Sequence, residues 1–382
     1  MTLPVALPDK ASFEIAGTHL NAAYTHPMLR RSAQAVRGYL DARLANGVVD
    51  AATMMADRIH AKAAFARLIN ADADEIAWVP STMAGENFVV SALGLREGGG
   101  RVVSDVFHFE PSLYLYGDLA RRGLSLEIVP ARGHRIALDD VAAAITPGTR
   151  LVAVSLVSAL NGFQHDLAAL CAIAHERGAL VYADIVQAAG AVPIDVRASG
   201  VDFCACATYK WLLGDFGAAF LYVRRDRLEH LQRAQHGYRQ LADWATHFMP
   251  HDAPGRNPVT WLERGDAASL FEVGTLGNAA VAALRPGLDY LDALGIERIQ
   301  AHRRPLMARL HEGLAARGFQ PLTDPESDSP IASFALEGAA DRHAARVAAA
   351  GVNVQFYPHR LRVSPSVHND LDDIERLLAA LA

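Results

Sequence analysis

The sequence predicts an α/β fold in which a mostly parallel sheet is covered by helices on both faces, followed by a second, smaller α+β domain. Three observations carry this expectation. From about residue 75, seven short apolar runs alternate with helical segments. The runs are nearly continuous in apolar residues, as strands buried on both faces are. The chain has 382 residues, 51% of them hydrophobic, enough for about two domains and a sizeable core.

The elements follow in order. Residues 27–44 and 51–69 carry apolar side chains at three- and four-residue spacing, which predicts two helices with a break at Asn46-Gly47. The seven expected strands are Ile76–Val79, Arg101–Ser104, Leu126–Val129, Leu151–Leu156, Leu180–Ala183, Val201–Ala205 and Ala218–Val223. Amphipathic or alanine-rich stretches such as Asp166–Arg177 lie between them. Residues 224–275 read as irregular, with prolines at 250, 254 and 258. A long helix is expected after Gly277, kinked at Pro286, then another from Ile296 to Arg317. Two short strands, Ile331–Leu336 and Val352–Phe356, and a final helix from about Asp370 complete the second domain. No repeat or low-complexity segment occurs.

Composition narrows the function. A net charge of −6 argues against a nucleic-acid binder. The three cysteines, Cys171, Cys204 and Cys206, form no disulfide framework, so a cytoplasmic setting is expected. Cys204-Ala-Cys206 lacks the spacing and second ligand pair of a zinc site, and no metal is expected. Residues 1–15 lack the basic start and apolar core of a signal peptide. No apolar run reaches about 18 residues, so no membrane span is expected. A nicotinamide-binding domain is disfavoured, because no G-x-G-x-x-G joins a strand to a helix; Gly98-Gly99-Gly100 precedes a strand instead.

The basic residues are uneven. Of 36 lysines and arginines, three are lysines: Lys10, Lys62 and Lys210. A lysine retained on such a background does what guanidinium cannot, because an amine loses its proton and attacks. Lys210 follows an expected buried strand and has apolar and aromatic neighbours, Tyr209 and Trp211. Desolvation lowers an amine's pKa and suits it to form a Schiff base with an aldehyde. The competing reading is a strand-end lysine whose stem packs while its head reaches water. Upstream, Asp184 ends the strand Leu180–Ala183, where ligands of parallel sheets bind. A carboxylate there pairs with a pyridinium nitrogen and keeps the ring an electron sink. Gln187 is placed to donate to a phenolic oxygen on the same ring.

Asp184, Gln187, Asp202 and Tyr209-Lys210 before a glycine-containing turn together resemble the class V aminotransferase family of pyridoxal-phosphate (PLP) enzymes. The nearest branches are the isopenicillin N epimerase-like, kynureninase-like and cysteine desulfurase-like ones. The resemblance implies the fold type I architecture of PLP-dependent transferases, with a seven-stranded sheet. It divides the chain into 1–45, packing on the small domain and active site, 46–275, binding PLP, and 276–382, the small domain.

The resemblance also implies roles. Thr82 and the Met83 backbone resemble phosphate ligands where a strand turns into a helix, a favourable place for an anion. Phe109 resembles the ring stacked on the cofactor, with His108 as the alternative. Ser158 and Asn161 are expected to face cofactor or substrate, and Tyr209 to contact the phosphate. Gly274-Thr275 resembles a segment offered to the neighbour's phosphate, which implies a homodimer with shared active sites. Arg362 resembles the substrate-carboxylate ligand, with Arg360 as the fallback. Tyr24, His26, His236, Tyr238, Trp244 and Trp261 are candidate substrate contacts.

The implied substrate is an amino acid or small derivative. Lys210 would hold PLP and then act as base at Cα, with Asp184 on the ring. Transamination, β-elimination and epimerisation remain open, and a non-catalytic PLP-fold protein is the contrasting reading. A persulfide-relay desulfurase is disfavoured, because no cysteine follows Cys206.

Overall fold

Strands of four to seven residues with almost every side chain buried bond their backbones only inside a sheet. The computed structural model describes residues 6–46, 51–253 and 257–382; Gly47 of the expected helix break and Pro254 lie outside the described residues. Seven strands form the main sheet: β1 (Ile76–Val79), β2 (Arg101–Asp105), β3 (Ser125–Val129), β4 (Thr149–Ser155), β5 (Leu180–Asp184), β6 (Phe203–Ala207) and β7 (Ala219–Val223). Their order is β1-β7-β6-β5-β4-β2-β3. Only β7 runs against its neighbours, β1 and β6; the other pairs are parallel. β6 starts two residues later than expected. Asp202 stands ahead of it instead, accepting hydrogen bonds from the Val181 amide (2.7 Å) and the Arg227 guanidinium (2.8 Å).

The alternation of each strand separates two cores. Ile76 and Trp78 of β1 face the helices Ala51–Leu68 and Leu167–Glu176, whereas Ala77 and Val79 face Thr82–Ala92 and Glu110–Ala120. Helix Asn278–Leu294 follows the expected boundary at 276 but shares the first core through Val281, Leu284 and Leu288. Pro286 lies inside this helix, as expected.

Two elements depart from the sequence reading. The stretch 224–275 contains a hairpin, β8 (Leu241–Thr246) with β9 (Val259–Glu263), in which Trp244 faces Trp261. It is exposed on both sides, so it carries no apolar alternation to read. The small sheet has four antiparallel strands, β10 (Gln320–Pro321), β11 (Ala332–Ala335), β12 (Gln355–Tyr357) and β13 (Arg360–Val363), in the order β10-β11-β13-β12. The expected strand Val352–Phe356 is divided: Val352–Asn353 pairs with Thr18–His19, and β12 begins at Gln355. Leu361 and Val363 of β13 enter a third core with Phe334, Leu310 and Leu377.

The chain order places the site. The connection from β3 to β4 crosses behind β2, and later strands add outward from β4. Beyond the carboxyl ends of β2 and β4 this reversal opens a crevice. Gly190 closes against the loop that follows β6. Its φ is +91°, and a Cβ there would lie 2.3 Å from the Trp211 carbonyl oxygen. Gly190→Ala is therefore expected to destabilise the fold by at least about 1–2 kcal/mol, measured as a lowered midpoint in denaturant. A variant as stable as the parent would contradict this packing.

Candidate active site

The loop after β6 fixes the lysine. The Thr208 hydroxyl donates to the Ala218 carbonyl (3.0 Å), and the Gly214 amide donates to the Thr208 carbonyl (2.8 Å). The Trp211 indole, fully buried, donates to Gln187 Oε1 (2.9 Å). The Tyr209-Lys210 pair is thereby held at the crevice.

The three lysines differ in their partners. Lys10 pairs with Asp370 (2.6 Å) and Asp373 (3.3 Å), and Lys62 with Glu272 (2.6 Å). Among the described residues no carboxylate stands within ion-pair distance of Lys210. Burial lowers its amine to about 8, against the weaker opposing pull of Asp184. Asp184 ends β5 and is buried, with Oδ1 accepting from the Val186 amide (2.8 Å). Burial raises its carboxyl to about 6, while the Val186 bond, His108 and Lys210 pull it back. A desolvated amine and a desolvated carboxylate at one crevice are typical of a site of chemistry.

Lys210 opens into a cleft of about 320 Å³ lined also by Tyr209, Gln187, Phe109, Tyr24, Tyr357 and Arg362. Arg362 donates through Nη1 to the Ala159 carbonyl (2.8 Å). Burial lowers its guanidinium from the usual value. Arg360 does not line the cleft; it lies on the Tyr357 ring, 3.9 Å from the centroid. Phe109 is 39% exposed and faces the cleft. His108 touches the cleft wall but is wholly buried and bonded at both ring nitrogens, to Ser155 Oγ (2.9 Å) and Glu86 Oε1 (3.1 Å). It is thus occupied elsewhere, and Phe109 is the open ring.

Other expected residues are tied into the framework. Gln187 lines the cleft, but its Nε2 donates to the Ala23 carbonyl (2.9 Å), and its Oε1 takes the Trp211 bond. Thr82 Oγ1 accepts from the Ala207 amide (3.0 Å), at the carboxyl end of β6. The cap of helix Thr82–Ala92 is Ser81, whose hydroxyl accepts from the Ala84 amide (3.1 Å). The Met83 sulfur accepts from the Ser112 hydroxyl.

Ser158 Oγ donates to the Phe107 carbonyl (3.0 Å). Asn161 does not face the cleft: it closes its own turn, donating to the His134 carbonyl (3.0 Å) and accepting from the Phe163 amide (3.0 Å). His26 is buried, with Nε2 2.8 Å from Ser366 Oγ. Gly274 and Thr275, with His236, Tyr238, Trp244 and Trp261, lie off this cleft; Thr275 Oγ1 stands 3.3 Å from the Tyr238 hydroxyl.

A buried network behind the cleft was not read from the sequence. Glu86 accepts from the Ser112 hydroxyl (2.5 Å) and the Tyr116 hydroxyl (2.8 Å) as well as facing His108. Burial alone would lower His108, but Glu86, with Asp184 and Asp105, outweighs it and raises the imidazole above its usual value. A carboxylate on the apolar face of helix Thr82–Ala92 was the available signal.

The amine is expected to show its environment in cofactor-free protein. Below pH of about 8 Lys210 is protonated and unreactive; above it, neutral and nucleophilic. At Lys10 burial is outweighed by Asp370 and Asp373, and the amine is held above its ordinary 10.5. Acylation rates followed by peptide mass spectrometry should therefore give Lys210 a midpoint near pH 8, well below that of Lys10. Equal midpoints would contradict the desolvated site.

Known proteins resemble this chain along most of its length. The family model for aminotransferase class V matches residues 20–377. A probable cysteine desulfurase of Methanothermobacter thermautotrophicus is 32% identical over 275 residues, spanning 70% of this chain and 64% of that protein. The chain thus covers less than two thirds of that relative. A cysteine desulfurase of Klebsiella pneumoniae is 28% identical, spanning 83% of this chain and 79% of the other. Among solved structures, the cysteine desulfurase CsdA of Escherichia coli superposes with a TM-score of 0.84 at 23% identity, covering 98% of both chains. The cystine C-S lyase C-DES gives a TM-score of 0.84 at 20% identity, covering 96% of this chain and 97% of that one. Both likenesses are of fold, the seven-stranded fold type I architecture. From strand-end Asp184 and the unpaired Lys210 to a family match over nearly its whole length, the chain belongs to the class V aminotransferases, a PLP-dependent family.

Proposed function

We propose that this protein is a PLP-dependent enzyme of the aminotransferase or β-lyase type acting on a free amino acid or a small derivative of one. One observation carries the reading: Lys210 presents a desolvated amine without a counter-ion to a cleft, with the buried Asp184 beside it. The donor set fits the cofactor: an amine for an aldehyde, a carboxylate for a ring nitrogen and, at the end of β6, the start of an 11-residue helix for a phosphate. When bound, PLP supplies the aldehyde and an aromatic ring that accepts electrons from the substrate Cα.

The chain's own groups do the rest. Lys210 would hold the cofactor through its amine and would move the proton at the substrate Cα. Asp184 keeps negative charge at the ring nitrogen. Phe109 offers a flat face to the ring, and Tyr209, with the turn at Thr82-Met83, receives the phosphate. Arg362 binds the substrate carboxylate through its free Nη2, while Nη1 stays on Ala159. The three cysteines are buried and none lines the cleft, so a persulfide relay has no thiol there. The relatives bearing the desulfurase name support a sulfur-containing amino acid as substrate. Elimination of its β-substituent needs no such thiol.

A homodimer completes this site in our reading. Gly274 and Thr275 lie away from the cleft of their own chain; Thr275 meets Tyr238, just ahead of a hairpin that exposes Trp244, Trp261 and Leu262. A second copy covering that apolar face would receive Thr275 at its phosphate. A cytoplasmic setting accords with three unpaired, buried thiols.

Two outcomes test the proposal. With PLP bound, Asp184→Asn should keep the cofactor and lose about a hundredfold or more in turnover of its best amino acid, scored as release of oxo acid with or without ammonia. Full turnover in that variant would defeat the assignment. Lys210→Ala and Thr275→Ala, each impaired alone, should regain part of their activity when mixed under conditions of subunit exchange. No recovery would count against a shared site.

A further inference from the structure

The small sheet turns one polar face toward the cleft. On β13, Leu361 and Val363 enter the core, so Arg360 and Arg362 share the opposite face, about 6.6 Å apart along the strand. The same face holds Tyr357, which pairs with Arg360, and Gln355 and Ser333, which pair with Arg362. It meets the large domain where Arg362 reaches the Ala159 carbonyl and Ser333 donates to the Leu160 carbonyl (2.8 Å).

Neither guanidinium has a carboxylate partner among the described residues. Arg362 keeps one hydrogen bond, and Arg360 none. The Nε atoms of both are enclosed and unpartnered. Tyr357, on whose ring Arg360 lies at 3.9 Å, itself lines the cleft. Stacking on an aromatic face leaves the edge of a guanidinium, with its paired N–H groups, free for a planar anion. Two adjacent, partly buried cations without counter-ions are costly to keep, and a ligand with two negative groups relieves both.

We propose that Arg360, held on Tyr357, forms a second carboxylate subsite beside Arg362, and that the substrate is an amino acid whose side chain carries a second carboxylate. This rests on the reading of Arg362 as the ligand of the α-carboxylate. Arg360 then selects among amino acids without taking part in the steps at Cα.

The test uses inert acids and calorimetry on the PLP-loaded protein, so no turnover is read. Glutarate should bind about tenfold more tightly than butyrate. Arg360→Gln should abolish that preference and leave butyrate affinity unchanged, whereas Arg360→Lys should keep part of it. Arg362→Gln should weaken both acids. Retained cofactor absorbance reports that each variant is folded. An unchanged glutarate preference in Arg360→Gln, or none in the parent, overturns the second subsite while leaving Arg362 in place. Unchanged butyrate affinity in Arg362→Gln overturns the reading of Arg362 itself, and the pair with it.

Discussion

The structure turns on keeping one amine out of water and out of ion-pair contact with any described carboxylate. Lys10 and Lys62 are neutralised by acids, as most partly buried lysines are, and Lys210 is not. Holding it so requires a rigid loop and a dry wall. Trp211 supplies the wall and hands its N–H to Gln187, which in turn holds the Ala23 carbonyl. The His26 amide donates to the Tyr209 carbonyl (3.3 Å). The N-terminal segment, the loop after β5 and the lysine loop are thus one hydrogen-bonded assembly. Gly190 is small because the Trp211 carbonyl presses on it. Remove the constraint and these residues have little reason to converge.

The opposite wall is set by electrostatics. Burial pushes the titrations of Asp184 and Lys210 toward one another, and their mutual attraction, without contact, opposes that shift at both groups. Behind them the Glu86 carboxylate faces His108, both enclosed. His108 reaches Ser155, which pairs in register with Asp184 across β4 and β5. The Asp184 carboxylate therefore sits in front of a buried polar network rather than a plain apolar core. The small domain docks on the loop after β4, through Arg362 to Ala159, Ser333 to Leu160 and Thr323 to Asn161. That docking brings Arg362 to the cleft that Lys210 also lines.

Much of this was legible in the chain. Six of the seven strands announced themselves because strands buried on both faces must be apolar throughout; the edge strand β3 buries only Val129 and was marked by its spacing. Lys210 stood out against an arginine background, and Asp184 by its place at a strand end. The misses have physical causes. Polar residues after a strand look alike whether they face a ligand or close a turn, and Asn161 closes a turn. Gln187 does line the cleft, and the sequence does not show that it also bonds Ala23 and Trp211. The β8–β9 hairpin has no buried face and so no period. In β13 the alternation of arginine with Leu361 and Val363 was present, but four residues carry little weight when read as a motif. Glu86 was a single acid in an apolar helix, and only packing reveals that His108, Ser112 and Tyr116 surround it.

The most direct measurement is the site of covalent attachment. The protein is incubated with PLP, reduced with borohydride and digested, and the modified peptide is identified by mass spectrometry. The account predicts the phosphopyridoxyl group on Lys210 alone, with Lys10 and Lys62 unmodified at stoichiometric cofactor. Label distributed over all three lysines, or absent from Lys210, would contradict it.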